Sequence, residues 1–236
     1  MVVCIILLVL GAICVAIFLM EKIKKYSVKA TLIKATASFL FILLAAYSNF
    51  IKGGEQYGFN SFVICGLALG LMGDIWLDFK YVFKEQERIF TYAGFISFAI
   101  GHVFYITGMM CTLPYPMLWY AYLTPFAFGA LCGALVLLLE KPLKYKYGEY
   151  KLICLIYAVL LFTTLGTATY LAFFNGFRFA AYDMLFFGAL FFAVSDLILC
   201  GTYFGEGKER PVDIISNGVT YYLAQYLIAF SLFFII

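Results

Sequence analysis

The sequence is dominated by long, uninterrupted apolar runs. Eight of them fit along the chain, and each has about the 20 residues that an α-helix needs to cross the hydrocarbon core of a bilayer. The runs are continuously apolar, whereas a membrane β-strand would alternate apolar and polar residues. They predict an all-α, polytopic membrane helix bundle with eight transmembrane helices, at approximately residues 2–20, 32–50, 59–77, 89–111, 117–139, 152–174, 182–203 and 214–235.

The composition excludes most other classes of protein. Of the 236 residues, 65% are apolar and 12% are charged, whereas about 25% are charged in a typical soluble domain. Too few charges remain to cover a surface that faces water, which excludes a soluble globular domain, a disordered chain and a nucleic-acid-binding protein. The connections between the runs are short, so we expect residues 1–236 to form a single transmembrane domain.

The basic residues are distributed unevenly between the two ends of the predicted spans. Of the 16, only Lys52 and Arg178 do not lie at the ends where spans 1, 3, 5 and 7 finish. Segments rich in lysine and arginine stay in the cytoplasm, so we expect a multi-pass protein of the cell membrane, of the bacterial plasma-membrane type, with both termini outside. Span 1 lacks the features of a cleaved signal peptide, and we expect it to be retained. The other basic residues are Lys22, Lys24, Lys25, Lys29, Lys34, Lys80, Lys84, Arg88, Lys141, Lys144, Lys146, Lys151, Lys208 and Arg210.

Asp74 and Asp196 lie well inside predicted spans and Asp78 lies at the end of span 3, where a charge is costly and usually marks function. Asp74 lies about one turn inside the end of span 3, and Asp78 follows four residues later on the same helix face. Asp196 lies about two turns from the corresponding end of span 7. Because spans 3 and 7 run in the same direction, we expect Asp74 and Asp196 at a similar depth in the cytoplasmic half, as a general acid/base pair. The alternatives are a structural tie between helices for these two, and a cap or ion pair for Asp78.

Span 4 places its polar residues on one face. His102 is the single histidine of the chain and lies near the middle of the span, and Tyr105 follows on the same face. We expect both to contact a ligand, although an interhelical hydrogen bond is the alternative role for His102. Span 6 is rich in threonine, and we expect those hydroxyls to bond to carbonyls of their own helix.

Spans 2 and 8 add further polar groups. Gln225 is central in span 8, with Tyr221 and Tyr222 one turn earlier, and a buried glutamine has four hydrogen-bonding positions to satisfy. It either orients a ligand or ties helices together. Lys34 opens span 2 and is either a snorkelling interfacial lysine or a cation for a phosphate or carboxylate.

Spans 3 and 7 share a short pattern. In each, a glycine lies eight residues before the aspartate, a small residue directly before it and a leucine three residues after it. The two copies lie about half the chain apart, which suggests a 4+4 internal repeat with parallel halves. The copies are Gly66, Gly73, Asp74 and Leu77 in span 3, and Gly188, Ser195, Asp196 and Leu199 in span 7.

In four of these spans the chain resembles the YhhN-like lysoplasmalogenases, a family that includes the vertebrate transmembrane lysoplasmalogenases. The family pattern has Gly-Asp-x2-Leu in the third helix, Phe-x3-Gly-x3-Phe-x3-His-x2-Tyr in the fourth, Ser-Asp-x2-Leu in the seventh and Thr-Tyr-Tyr-x2-Gln in the eighth. A lysine at the start of the second helix also corresponds, although the proline that often follows it is Ala35 here. The matching residues are Lys34, Gly73 to Leu77, Phe90 to Tyr105, Ser195 to Leu199 and Thr220 to Gln225.

The resemblance implies a hydrolase that cleaves the vinyl-ether bond of lysoplasmalogens to a fatty aldehyde and a glycerophospho-base. Its partners would be the lysophospholipid substrate and membrane lipids, with no metal, cofactor or nucleic acid. The reaction needs a proton donor and a second carboxylate, as in glycosidases. Asp74 and Asp196 would form this catalytic pair, and either of them could be the proton donor. We expect the substrate to be bound by Lys34, Asp78, His102, Tyr105, Ser195, Tyr221, Tyr222 and Gln225.

Three other functions would each require a different pattern of residues. A zinc-dependent lipid hydrolase would need about three histidine ligands, and the chain has one histidine. An aspartyl intramembrane protease would need Gly-x-Gly-Asp, but Leu71 lies two residues before Gly73. A proton-coupled transporter remains the alternative, because duplicated halves with acidic residues inside the membrane suit such a carrier. The absence of a proline-interrupted span is evidence against a transporter.

Overall fold

The computed structural model describes residues 1–24, 26–52, 56–113, 119–205 and 210–235. Every regular element in these residues is helical, which confirms the predicted all-α bundle. Short 3₁₀ turns at Lys84–Gln86 and Gly148–Tyr150 precede the fourth and sixth long helices. The long helices are α1 (Val2–Lys24), α2 (Val28–Ile51), α3 (Tyr57–Val82), α4 (Glu87–Cys111), α5 (Trp119–Leu138), α6 (Lys151–Phe174), α7 (Ala180–Phe204) and α8 (Pro211–Phe234). Lys25 and Lys208 of the basic set, and the first two residues of the predicted fifth span, lie outside the described residues.

Seven of these helices, α1 to α7, are long and apolar enough to cross a membrane by their length and composition. This makes the chain a multi-pass membrane protein. α8 has 24 residues, but its interior carries polar side chains such as Asn217 and Gln225 that lower its apolar content. It packs against α1, α2, α3 and α7, and Gln225 is fully buried. Protein therefore covers the polar face of α8.

The helices associate mainly as sequential hairpins. The most extensive contacts join α3 to α4, α7 to α8, α5 to α6 and α1 to α2. The most extensive non-sequential contacts, α2 with α8 and α4 with α6, close the bundle. α5 packs mainly against α6, continues through Pro125 and presents most of its surface to the outside. The 4+4 repeat stays a prediction.

The threonine hydroxyls of α6 bond within their own helix, as predicted. Thr163 donates to the carbonyl of Val159 at 2.7 Å and Thr164 to that of Leu160 at 2.9 Å. Thr167 and Thr169 also donate to carbonyls four residues earlier. These bonds satisfy hydroxyls that have no water to bond to inside the bundle.

The contact between α5 and α6 depends on a close approach of the two backbones at Gly129. A Cβ atom at this position would lie 2.1 Å from Thr163 Oγ1 and 2.6 Å from the carbonyl oxygen of Val159. Side chains cannot be accommodated against a fixed carbonyl, so only glycine allows the helices to pack this closely. Small residues at such crossings are the usual basis of helix association in membranes.

We expect Gly129→Val to destabilise the protein by about 1–3 kcal/mol, because overpacking forces α5 away from α6. Ala130→Val makes a matched control, since Ala130 is the next residue and is exposed. Thermal unfolding in detergent measures both. A Gly129→Val protein that unfolds at the same temperature as the control would contradict the described approach of the helices.

Candidate active site

A cavity of about 1050 Å³, counted with its opening, lies between the helices in one half of the bundle. All eight helices contribute to its wall, through the C-terminal parts of α1, α3, α5 and α7 and the N-terminal parts of α2, α4, α6 and α8. These are the helix ends for which the basic residues predict a cytoplasmic location. Most of the wall is apolar and aromatic, and its charged residues are Lys22, Lys34, Asp74 and Asp196.

Lys34 is at the centre of a buried cluster of four charges. Its Nζ lies 3.1 Å from Asp74 Oδ1 and 3.3 Å from Asp78 Oδ1. Lys22 Nζ lies 3.1 Å from the same oxygen of Asp78. No side chain in this cluster is more than 14% exposed. The two positive and two negative charges neutralise each other. The four-residue spacing on α3 places both carboxylates on the helix face that meets Lys34.

The second carboxylate oxygen of Asp74 accepts two hydroxyl hydrogen bonds. Ser38 donates to Oδ2 at 2.6 Å and Tyr221 at 2.8 Å. Behind Tyr221, Gln225 Nε2 donates to the tyrosine hydroxyl at 3.0 Å, and Gln225 Oε1 accepts from Tyr105 at 3.0 Å. A cation on one oxygen and two donors on the other make an environment that suits an ionised carboxylate.

Asp196 has a different environment. Its Oδ2 is hydrogen-bonded to the hydroxyl of Tyr157, which also lies 3.4 Å from His102 Nε2. On the other side of the imidazole, Nδ1 lies 3.0 Å from Thr164 Oγ1. Among the described residues, Asp196 makes no ion pair with a lysine or arginine. Asp196 is also partly exposed to the cavity, whereas Asp74 is only 2% exposed.

Polar contacts also join helices at other points of the wall. Asn217 Nδ2 of α8 donates to Ser195 Oγ of α7 at 3.0 Å and to the Ser195 carbonyl at 2.8 Å. Tyr222 donates to the carbonyl of Lys34 at 3.1 Å, and its hydroxyl lies 3.2 Å from Ser38 Oγ. These contacts hold the N-terminal part of α8 against α2 and α7, and thereby fix the position of Tyr221.

Tyr147 closes part of the wall from the connection between α5 and α6. It is 1% exposed, and its hydroxyl lies 3.4 Å from the carbonyl of Val136 and 3.4 Å from Cys200 Sγ. Burial raises the pKa of the Tyr147 phenol above its ordinary value. The hydroxyl therefore stays protonated and remains a hydrogen-bond donor.

The predicted site residues fall into two groups by position. Four of them do not reach the cavity: Asp78 and His102 contact residues that line it, Gln225 contacts Tyr221, and Tyr105 contacts Gln225. The predicted residues that do line the cavity are Lys34, Asp74, Ser195, Asp196, Tyr221 and Tyr222.

In the part of the chain that the structure describes, no group of three or more His, Cys, Asp or Glu could hold a metal ion.

Lys22, Ser38, Tyr157 and Asn217 belong to this site but are not among the residues predicted from the sequence. Lys22 contributes to the predicted orientation, and the structure shows that it also lines the cavity and pairs with Asp78. Ser38 lies four residues after Lys34, so helical spacing could have placed it on the same face. Tyr157 and Asn217 carried no such signal, because neither is charged.

We expect Lys34→Met to destabilise the protein by about 3–5 kcal/mol, because it leaves Asp74 buried without its cation. The exposed ion pair of Lys29 with Glu21 provides the control, and Lys29→Met should cost no more than about 1 kcal/mol. Adding Asp74→Asn to Lys34→Met should recover part of the loss, since it removes the unpaired charge. Equal unfolding temperatures for the Lys34→Met and Lys29→Met proteins would contradict the ion-pair cluster.

Comparison with known proteins gives one match. No curated protein and no solved structure is significantly similar to this chain. The sequence model of the YhhN family matches residues 29–232 of the 236. This match contains α3 to α7, nearly all of α2 and α8 and every predicted site residue. The chain therefore belongs to the YhhN family.

Proposed function

We propose that this protein hydrolyses the vinyl-ether bond of lysoplasmalogens, which yields a fatty aldehyde and glycerophospho-ethanolamine or -choline. One observation carries the proposal: Asp74 and Asp196 line the same cavity, and of the two only Asp74 is paired with a lysine in the described part of the chain. Two carboxylates in such different environments divide into a proton donor and an ionised partner. Membership of the YhhN family is compatible with a hydrolase, and the resemblance to lysoplasmalogenases names the bond.

The cavity wall suits a phospholipid with a single chain. On the side of α1 and α2 it carries Lys22 and Lys34. Lys34 is paired with Asp74 and Asp78, whereas Lys22 pairs with Asp78 alone among the described residues and is the better placed of the two to attract a phosphate. On the side of α5, α6 and α7 it carries apolar residues such as Phe162 and Leu197. Leu197 is also 48% exposed on the outside of the bundle, so this side of the cavity borders the lipid. The substrate would enter from there and leave its hydrocarbon chain along the apolar wall.

The proposed reaction begins with protonation of the β-carbon of the vinyl ether by Asp196. The product of this step is an oxocarbenium ion, and the ionised carboxylate of Asp74 stabilises its positive charge. Water attacks the carbon that is bonded to oxygen and passes a proton to Asp196, which restores the acid. The resulting hemiacetal breaks its carbon–oxygen bond as its hydroxyl proton passes to the leaving oxygen. The aldehyde and the glycerophospho-base are then free.

The remaining site residues would position these groups. Ser38 and Tyr221 orient the carboxylate of Asp74, and Gln225 orients Tyr221. Ser195 and Tyr222 also line the cavity, where their contacts with Asn217 and with the carbonyl of Lys34 hold α8 in place. We also propose that the site lies in the cytoplasmic half of a bacterial plasma membrane with both termini outside, because the basic residues cluster at this end of the bundle.

We expect Asp74→Asn and Asp196→Asn each to lower the turnover of a lysoplasmalogen by about 100- to 10,000-fold, because each removes one member of the acid/base pair. Both substitutions keep the shape of the side chain. The assay is release of fatty aldehyde from lysoplasmenyl-ethanolamine in detergent or nanodiscs. Turnover near that of the unmodified protein in both variants would refute the catalytic roles.

Asp183→Asn is the matched control for these two variants. Asp183 lies on the same helix as Asp196, in the first turn of α7 and away from the cavity. The change in charge and shape is identical, so it should leave turnover unchanged. Size-exclusion profiles and unfolding temperatures of all three proteins separate loss of catalysis from loss of the fold.

We expect hydrolysis in D₂O to place one deuterium on the carbon next to the aldehyde carbonyl, because the first step is protonation of the β-carbon. Immediate reduction of the aldehyde to the alcohol prevents later exchange, and mass spectrometry locates the label. The saturated alkyl-ether analogue should not be cleaved, since it has no double bond to protonate. Aldehyde that is free of deuterium would exclude this route.

The transporter alternative predicts a different result with the same protein. A proton-coupled carrier would take up a solute into proteoliposomes in response to a pH gradient and would release no aldehyde. Aldehyde release that is lost in Asp196→Asn, without uptake, supports the hydrolase.

A further inference from the structure

Four side chains on three helices form one hydrogen-bond chain that ends at Asp196. The chain begins at Thr164 Oγ1, which lies 2.9 Å from the carbonyl oxygen of Leu160. A carbonyl oxygen can only accept, so Thr164 must donate its single hydrogen to it. The Thr164 hydroxyl therefore has no hydrogen left for the imidazole of His102.

This fixes the hydrogen on one ring nitrogen of His102. Nδ1 lies 3.0 Å from Thr164 Oγ1, and since that oxygen can only accept here, Nδ1 must carry the hydrogen. In a neutral imidazole the other nitrogen, Nε2, is then an acceptor. It lies 3.4 Å from the hydroxyl of Tyr157, which can supply the hydrogen for that contact.

A tyrosine hydroxyl has one hydrogen, and two acceptors compete for that of Tyr157: an ionised Asp196 Oδ2 and Nε2 of a neutral His102. If the hydrogen goes to His102, the oxygen of Tyr157 can only accept, and the contact with Asp196 then requires a proton on the carboxyl. We infer that Asp196 is a protonated carboxyl at rest, held by a chain of hydrogen bonds that runs from Asp196 through Tyr157, His102 and Thr164 to the Leu160 carbonyl. Tyr157, His102 and Thr164 are thus positioning residues for the acid.

Two other arrangements fit the contacts less well. If Tyr157 donates to an ionised Asp196, Nε2 of a neutral His102 faces the tyrosine oxygen and receives no hydrogen. The partly buried carboxylate of Asp196 would also have no cation beside it among the described residues. If His102 is instead an imidazolium, both ring nitrogens donate. His102 is only 1% exposed, however, and no carboxylate contacts it among the described residues. Burial of such a charge is costly, which favours the neutral ring.

The stored proton faces Tyr157 and not the cavity, so its delivery requires a movement. A half-turn of the Asp196 carboxyl exchanges its two oxygens and presents the O–H to the cavity. The bare oxygen then faces Tyr157, whose hydroxyl turns to donate to it. No proton is created or lost in this step. The storage of the proton is argued from the hydrogen bonds and from burial and is independent of the proposed function, but its use as the acid of vinyl-ether cleavage rests on the proposed function.

The single histidine makes the arrangement directly measurable. In protein labelled only with ¹⁵N-histidine, every imidazole signal comes from His102. We expect the NMR spectrum of the full chain in nanodiscs to show a neutral ring with hydrogen on Nδ1. A ring with hydrogen on Nε2 would overturn the direction of the chain, and an imidazolium would overturn the assignment of the proton to Asp196.

A pair of threonine variants tests the anchor of the chain. Thr164→Val removes the acceptor for Nδ1–H, so the form with hydrogen on Nε2 should appear. Thr167→Val is the control, because Thr167 is also buried on α6 and bonds only to the carbonyl of Thr163 in the contacts described. A ring that keeps its hydrogen on Nδ1 in Thr164→Val would contradict the role of Thr164.

Infrared spectroscopy identifies the proton on Asp196, and activity reports its use. The C=O band of a protonated carboxyl should be present in the unmodified protein, absent in Asp196→Asn and shifted in Tyr157→Phe. Absence of this band from the unmodified protein would overturn the inference.

Tyr157→Phe should also lower kcat by about 10- to 100-fold with little change in KM, because the acid loses its hydrogen-bond partner. If the NMR and infrared results hold but lysoplasmalogen is not cleaved, the proposed function fails and the stored proton remains.

Discussion

The pairing of Lys34 with Asp74 and Asp78 is the interaction on which the rest of this structure depends. A charge among membrane-spanning helices costs several kcal/mol unless an opposite charge accompanies it. Lys34 comes from α2 and the carboxylates from α3, so charge balance requires these helices to meet at one depth. Asp74 forms an ion pair with a lysine, whereas Asp196 forms none among the described residues. The two carboxylates of the cavity therefore have different electrostatic environments.

The helices and their most functional residues could be predicted because their causes are local. Long apolar runs predict spanning helices. Asp74 and Asp196 are readily identified as candidate functional residues, because a charged side chain inside a span has a high free-energy cost. α8 shows the limit of hydropathy, since its polar side chains are buried against protein and it does not qualify as a span by composition. Its 24 residues and its contacts identify it as part of the bundle.

The contacts between helices could not be predicted, because periodicity along one helix gives a face but not its neighbour. Nothing local to Lys34 shows that its partners are carboxylates of α3 instead of a ligand phosphate. Tyr157 is one of 19 tyrosines, and only the packing of α6 against α4 and α7 makes it the link between His102 and Asp196. His102, Tyr105 and Gln225 were recognised as important, but the structure places them behind the cavity wall, where they hold other side chains.

The burial of α8 has a consequence for how the protein is made. Synthesis proceeds from the N-terminus, so α8 emerges after α1 to α7. Its polar side chains have no favourable place in lipid and find their partners only on helices that precede it in the chain, α1, α2, α3 and α7. Tyr221, which α8 supplies to Asp74, arrives in the same event. A nascent chain that has not yet reached α8 therefore lacks the Tyr221 donor to Asp74 as well as this helix's part of the cavity wall.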